Sequence, residues 1–184
     1  ARHPQSALAL KTLANLGQLQ FWPCDVRTAK AVRAAVHGAD AVVYLVGTFG
    51  KDQQQLHATS AGVAAQAASA GGAQAFVYLS SLAADPTSDG TYASTKAEGE
   101  RLVREAFPRA TVVRPSIVFG QDDQFISLFA GLIASLPALP VFGPEAKLQP
   151  VWVDDVARAI TTALADPATH GGKTYELAGP DVLT

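Results

Sequence analysis

The sequence predicts an α/β fold built on a doubly wound parallel sheet. Four short uninterrupted runs of β-branched and aromatic residues, at 18–22, 41–46, 75–79 and 110–114, read as strands buried on both faces, with a weaker fifth at 173–177. Segments of helical period lie between them. Strands alternating with helices are the mark of βαβ units, which right-handed crossovers wind into a parallel sheet covered on both sides.

Each element has its own signal. In 28–37, Ala29, Val32 and Val36 share one helical face, and Gly38 supplies the stop. Residues 53–70 form an alanine-rich helix closed by Gly71-Gly72, and 92–107 a helix ended by Pro108. Asp154 and Asp155 open a last helix with a Val156, Ile160, Leu164 stripe. Adjacent carboxylates on a helix point apart, so these two are expected to cap it rather than act as a pair.

The region 122–148 interrupts the alternation and is expected to form a small cap beside the sheet. Within it, Phe125, Leu128, Phe129, Leu132, Ile133 and Leu136 make a wide apolar stripe, while Ala130, Gly131, Ala134 and Ser135 opposite are small. A cap helix buried on both sides is the expectation. The alternative is a contact through 125–136 with a membrane surface, a quinone-like lipid or a partner subunit. Pro137, Pro140 and Pro144 break the uncharged stretch, leaving a helix of about a dozen residues, too short to span a bilayer.

Composition narrows the function. The 184 residues are expected to form one domain, 1–184, with a core of useful size. Fourteen basic against sixteen acidic residues give a net charge of −2, so no basic footprint invites nucleic acid. Cys24 is the single cysteine, which excludes an internal disulfide. The chain has no methionine and starts at Ala1, and it reads as a fragment or a processed chain. No apolar core follows the first basic residues, as a signal peptide would require. His3, His37, His57 and His170 are scattered, so no metal site is expected, and no G-x-S-x-G turn suggests a hydrolase.

Ligands of open parallel sheets bind beyond the carboxyl ends of the strands. There the chain places Cys24-Asp25-Val26, Gly47-Thr48, Ser80-Ser81 and Pro115-Ser116-Ile117. Between the last two lies TYASTK, residues 91–96, with Tyr92 and Lys96 one helical turn apart on one face. An ammonium beside a phenol favours phenolate, which would bring Tyr92 toward useful proton transfer with a carbonyl or alcohol. Ser81 could hold the substrate oxygen. Taken alone, such a pair is common on helix surfaces.

Order and context add to it. A strand ending in Ser80-Ser81, then Tyr92-x-x-x-Lys96 opening a helix, then RPSIVFG, then VWVDDVA: this resembles the extended and atypical short-chain dehydrogenase/reductases over nearly the whole chain. Within them the likeness is to relatives of the nucleotide-binding accessory subunit of respiratory complex I. It is carried by FPRATVVRPSIVFGQDDQFISLFA (107–130), QPVWVDDVARAI (149–160) and ADPATHGGKTYELAGP (165–180). The resemblance implies an NAD(P)-binding Rossmann-like domain with Ser81, Tyr92 and Lys96 as the catalytic residues. Lys96 would also bond the nicotinamide ribose. It implies that Asp25 and Val26 contact adenine, Val46 and Gly47 the adenosine ribose, and Pro115, Ser116 and Ile117 the nicotinamide. Arg2 sits where a basic residue suits a 2′-phosphate, so NADP(H) is expected over NAD(H).

The departures are equally specific. No glycine-rich loop or first βα unit is found, so the first unit of the sheet is expected to be missing from this chain. Ile117 and Phe119-Gly120-Gln121 stand where the sugar-nucleotide enzymes resembling this fold carry Asn and Tyr-Gly-Pro, which disfavours an epimerase or dehydratase. Thr59 stands where the extended enzymes usually have Asn. Two readings stay open: an oxidoreductase moving hydride to or from a carbonyl, alcohol or quinone-like substrate, or a non-catalytic NADPH-holding accessory or assembly protein of complex I or quinone metabolism. The expected location is the cytoplasm, with a peripheral seat at an inner membrane, or the matrix in a eukaryote, as alternatives.

Overall fold

The computed structural model describes residues 2–121, 123, 131, 134–135 and 147–183. In chain order its strands are β1 (Ala41–Tyr44), β2 (Ala75–Leu79), β3 (Thr111–Pro115), β4 (Val118–Phe119), β5 (Val151–Trp152) and β6 (Thr174–Leu177). Four form the main sheet in the order β1-β2-β3-β6, every pair parallel, and β4 pairs with β5 beside it. The helices are α1 (Ala29–Val36), α2 (Ser60–Ala70), α3 (Thr91–Ala106), α4 (Val153–Ala165) and the short α5 (Pro167–His170). The α/β class and the parallel sheet are thus as the sequence predicts.

Strand β2 explains why its sequence is apolar without a break. Phe76 and Tyr78 pack on one face with Val32, Tyr44, Ala61, Ala64, Val103 and Val112, from β1, β3 and α1 to α3. Val77 and Leu79 pack on the other with Val113 and with Val156 and Ile160 of α4. Side chains alternate between faces, and both faces are covered, so every position must be apolar. Burying each large side chain is worth about 1.5–3 kcal/mol.

Helix α3 comes unusually close to its neighbours. A Cβ on Gly99 would collide with the His57 carbonyl oxygen and the Tyr78 hydroxyl, so glycine at this position sets the seat of the helix. The expected helix of 53–70 also differs in its first turns. Gln54–Thr59 is a π-helical turn in which the Ser60 N–H reaches back to the Gln55 carbonyl, before α2 runs regularly. Two buried tyrosines use that turn. Tyr44 donates to the Leu56 carbonyl at 2.7 Å and Tyr78 to the His57 carbonyl at 2.8 Å. Buried phenols need such partners, and an alanine-rich sequence does not announce where they will be found.

Three expectations need correction or placing. Residues 18–22 are not a strand: among the described residues they have no ladder partner, and Leu19 and Trp22 are 37 % and 60 % exposed. A β-type run supplies side chains but not the neighbour whose backbone groups it must share. Asp154 and Asp155 do not cap α4, whose N-cap is Trp152. Instead Asp154 accepts from the Trp152 indole at 3.0 Å and Asp155 pairs with Arg158 at 3.5 Å. The cap of 122–148 and the stripe of 125–136 lie almost wholly outside the described residues.

Candidate active site

The carboxyl ends of β1, β2 and β3 carry Val46-Gly47, Ser80-Ser81 and Pro115-Ser116-Ile117 in parallel register, and α3 starts above them. Ser81, Tyr92 and Lys96 come together there. Lys96 is 4 % exposed and its Nζ donates to the Leu79 carbonyl at 2.9 Å. The same Nζ lies 5.9 Å from the Tyr92 ring centroid and 5.5 Å from that of Tyr78. Burial pulls the Lys96 ammonium down to about 8, with Glu100 working against it. Burial pushes the Tyr92 phenol up, and a hydrogen bond to the Ser81 side chain pulls it back. The expected lowering of Tyr92 by Lys96 is therefore not what this arrangement gives, because burial of the phenol outweighs what lowers it.

The Tyr92 ring is held on two sides. Phe49, 83 % exposed, stacks on it with centroids 4.7 Å apart and an interplanar angle of 20°. His57 meets it edge-on at 5.3 Å. His57 is fully buried, and its Nε2 accepts from the Thr48 backbone N–H at 3.0 Å. An amide N–H only donates, so Nδ1 carries the ring proton and gives it to Thr95 Oγ1 at 2.9 Å, while that hydroxyl donates to the Thr91 carbonyl at 2.7 Å. His57 thus ties the loop after β1 to α3. Burial and then the Lys96 charge bring it down to about 4, so it is neutral.

One turn beyond Lys96, Glu100 is 2 % exposed and saturated with donors. Ser80 Oγ donates to Oε1 at 2.5 Å, and Arg114 donates from Nε to Oε1 at 2.8 Å and from Nη2 to Oε2 at 2.9 Å. Arg104 Nη1 adds a bond to Oε2 at 3.1 Å. Burial pushes this carboxyl up, but the Arg114 and Ser80 hydrogen bonds outweigh it and leave it below its usual range.

A cleft of about 300 Å³ opens beside Gly47. The expected cofactor residues Arg2, Asp25, Val26, Val46 and Gly47 all line it. Arg27 and Asp52 line it too, and Arg27 bonds Asp25 at 2.8 Å and Asp52 at 3.3 Å, holding the Asp25 carboxyl down to about 2. A Cβ on Gly47 would sit 3.5 Å from Lys96 Nζ, so the glycine joins the cleft to the lysine. Pro115, Ser116 and Ile117 are not in this cleft. Their backbones are stitched to their neighbours: Leu82 N–H to Pro115 O at 3.0 Å, Ser116 N–H to Leu177 O at 2.8 Å and Val151 N–H to Ile117 O at 2.9 Å.

Sequence reasoning did not single out His57, Thr95, Phe49, Arg27 or Glu100. Glu100 had a signal, since it continues the Tyr92, Lys96 spacing by one more turn. His57 had none, because its partners lie nine and thirty-eight residues away.

A family model described as the RmlD substrate binding domain matches residues 24–184. The chain belongs to that family. This RmlD-type chain is 33 % identical over 181 residues to the NADH dehydrogenase [ubiquinone] 1 alpha subcomplex subunit 9, mitochondrial, of Dictyostelium discoideum, covering 95 % of this chain and 49 % of the relative. It is 32 % identical over 148 residues to a ceramide reductase of Caulobacter vibrioides, covering 78 % and 46 %. The chain thus spans about half the length of these curated relatives. Its fold is that of dTDP-4-dehydrorhamnose reductase from Bacillus anthracis, solved in complex with NADP, with a TM-score of 0.79 at 18 % identity over 96 % of this chain and 71 % of that one. The likeness to short-chain dehydrogenase/reductases and to complex I subunit relatives therefore holds over nearly the whole RmlD-type domain.

Proposed function

We propose that this chain forms the catalytic and part of the dinucleotide-binding portion of an oxidoreductase of the short-chain dehydrogenase/reductase type, acting on a carbonyl, alcohol or quinone-like substrate. The observation that carries it is the convergence of Ser81, Tyr92 and Lys96 beside the Gly47 cleft. In this reading the dinucleotide supplies or accepts the hydride. Tyr92 Oη gives a proton to the substrate oxygen, or takes one from it, and the Ser81 hydroxyl orients that oxygen. Lys96 uses one of its three donors on Leu79 O, which leaves two for the nicotinamide ribose.

The donor set fits the two ends of a dinucleotide. Asp25 and Val26 would hold adenine, Val46 and Gly47 the adenosine ribose, and Pro115, Ser116 and Ile117 the nicotinamide. Gln53, at the start of the π-helical turn, donates from Nε2 to the Phe49 carbonyl at 3.0 Å, while its Oε1 is buried with no partner among the described residues. Arg2 favours NADP(H) over NAD(H), although two guanidiniums and two carboxylates share that cleft. Arg2→Ala should lower affinity for NADPH more than for NADH. Equal losses would remove the preference.

The second reading, an accessory subunit that holds the nucleotide without turnover, is supported by the subunit relatives and by the covered, high-pKa phenol. Those relatives also favour a peripheral seat at the mitochondrial inner membrane, and no described helix is long and apolar enough to cross a membrane. NADPH oxidation by full-length protein with carbonyl and quinone acceptors separates the two readings. Tyr92→Phe should lower kcat by about 10²- to 10⁴-fold with dinucleotide affinity intact. Tight dinucleotide binding with no turnover in the wild type would sink the oxidoreductase reading and leave the accessory one.

A further inference from the structure

Burying a carboxylate costs several kcal/mol even when it is paired, and an apolar residue of similar volume often serves stability as well (on the order of 1–4 kcal/mol better in known replacements). Glu100 is nonetheless buried in the middle of α3, and three of its four donors come from Ser80 and Arg114 at strand ends beside the candidate site, the fourth from Arg104 one turn further along α3. Ser80 is the neighbour of Ser81. Arg114 immediately precedes the 115–117 loop. Lys96 lies one turn away on the same helix. The net reaches β6 as well, through Arg104 Nη2 to Thr174 Oγ1 at 2.6 Å and Arg114 Nη1 to Glu176 Oε1 at 3.4 Å.

We propose that Glu100 is a positioning residue of this site: by bonding Ser80 and Arg114 at once it fixes where Ser81 and the 115–117 loop stand relative to Tyr92 and Lys96, and it places a carboxylate one helical turn from the Lys96 ammonium. The groups that face it are Ser80, Arg104 and Arg114 in direct contact, with Lys96 and the Tyr78 phenol feeling its charge. Burial disfavours the Lys96 ammonium, and the Glu100 carboxylate works against that. The kcat part of the test rests on the oxidoreductase reading, and the structural parts do not.

The experiment compares full-length wild type with Glu100→Gln and Glu100→Asp. Lysine side-chain carbon-13 NMR, with the Lys96 signal assigned by Lys96→Arg, follows its titration. In Glu100→Gln the Lys96 midpoint should fall, because the carboxylate that favours the ammonium is gone, Arg104 loses its counter-charge and Arg114 keeps only Glu176. Glu100→Asp keeps the charge but shortens the reach. Its Lys96 midpoint should stay near the wild type, while amide exchange at Leu82 and Ser116, whose bonds tie these strand ends together, speeds up and α4 does not change. If the wild type turns over, Glu100→Asp should lower kcat by about 10- to 100-fold with dinucleotide affinity unchanged. An unchanged midpoint in Glu100→Gln, or exchange in Glu100→Asp that rises equally everywhere, overturns the proposal, the second outcome meaning that Glu100 only stabilises the fold. Should Glu100→Gln fail to fold, the exchange pattern of Glu100→Asp decides alone. Absence of turnover in the wild type would count against the oxidoreductase reading and leave both structural measurements decisive for Glu100.

Discussion

The Thr48 backbone N–H is bonded to His57 Nε2 at 3.0 Å, so the loop carrying Gly47 stays in place only while that nitrogen is unprotonated. His57 stands at about 4 in the folded chain against an ordinary value of 6.5. As pH falls, the unfolded chain therefore takes up the proton first. The stability tied to neutral His57 is complete above pH 6.5 and drains away between 6.5 and about 4. Urea unfolding midpoints should fall from about pH 7 to about pH 5, above the main carboxylate range. His57→Asn should be less stable throughout, by about 1–3 kcal/mol, and show a shallower decline. Equal slopes in the two proteins would assign the effect to another group.

Lys96 predicts the opposite trade. Its ammonium is buried and held down to about 8 from 10.5, so the folded chain bears the desolvation of a charge below pH 8. Lys96→Met fills similar space without that charge, at the loss of one hydrogen bond to Leu79 O. The variant should unfold at higher denaturant than wild type at pH 7. The gap should close as pH rises from about 8 toward 10.5, where wild-type Lys96 becomes neutral when folded and gains stability that methionine cannot. A gap constant over that range would show that desolvation is not the cause. Gain of stability with loss of function would mark Lys96 as kept for the site.

Gly99 tests how closely α3 is seated. Gly99→Ala should destabilise by about 1–3 kcal/mol despite the better helix propensity of alanine, because the added carbon meets the His57 carbonyl and the Tyr78 hydroxyl. On the exposed face of α2, Gln66→Ala should stay within about 0.5 kcal/mol of wild type. Denaturant unfolding of both variants measures the contrast. A neutral Gly99→Ala would mean that α3 can shift without disturbing its neighbours.

The β2 and β3 expectations land within a residue of the observed strands because both faces of each are covered, and a doubly buried strand reads as a near-continuous apolar run. The edge strand β6 also lands within a residue, but with Thr174 and Glu176 exposed its signal was the weaker one. The run at 18–22 is also rich in strand-forming residues, yet among the described residues no neighbouring strand pairs with it, and composition cannot report a neighbouring strand. Asp154 and Asp155 have the residue type of a cap, yet the Trp152 indole and Arg158 take them up instead. Among the site residues, those at strand ends were legible because topology dictates where strand ends meet. The Phe49 stack on Tyr92 was not, since it depends on how a loop folds back across α3.

The sequence by itself determined the α/β class, the strand ends that gather at one edge of the sheet, and the Tyr92–Lys96 pair on one helical face. These follow from periods of two and 3.6 residues and from spacing along a single element, which are local properties. Only the tertiary structure decided that Lys96 spends a donor on Leu79 O, that burial raises rather than lowers the Tyr92 phenol, and that His57 and Glu100 lock the site's loops and strand ends together. Those outcomes depend on desolvation and on partners distant in sequence. Both are set by packing, so no local pattern records them.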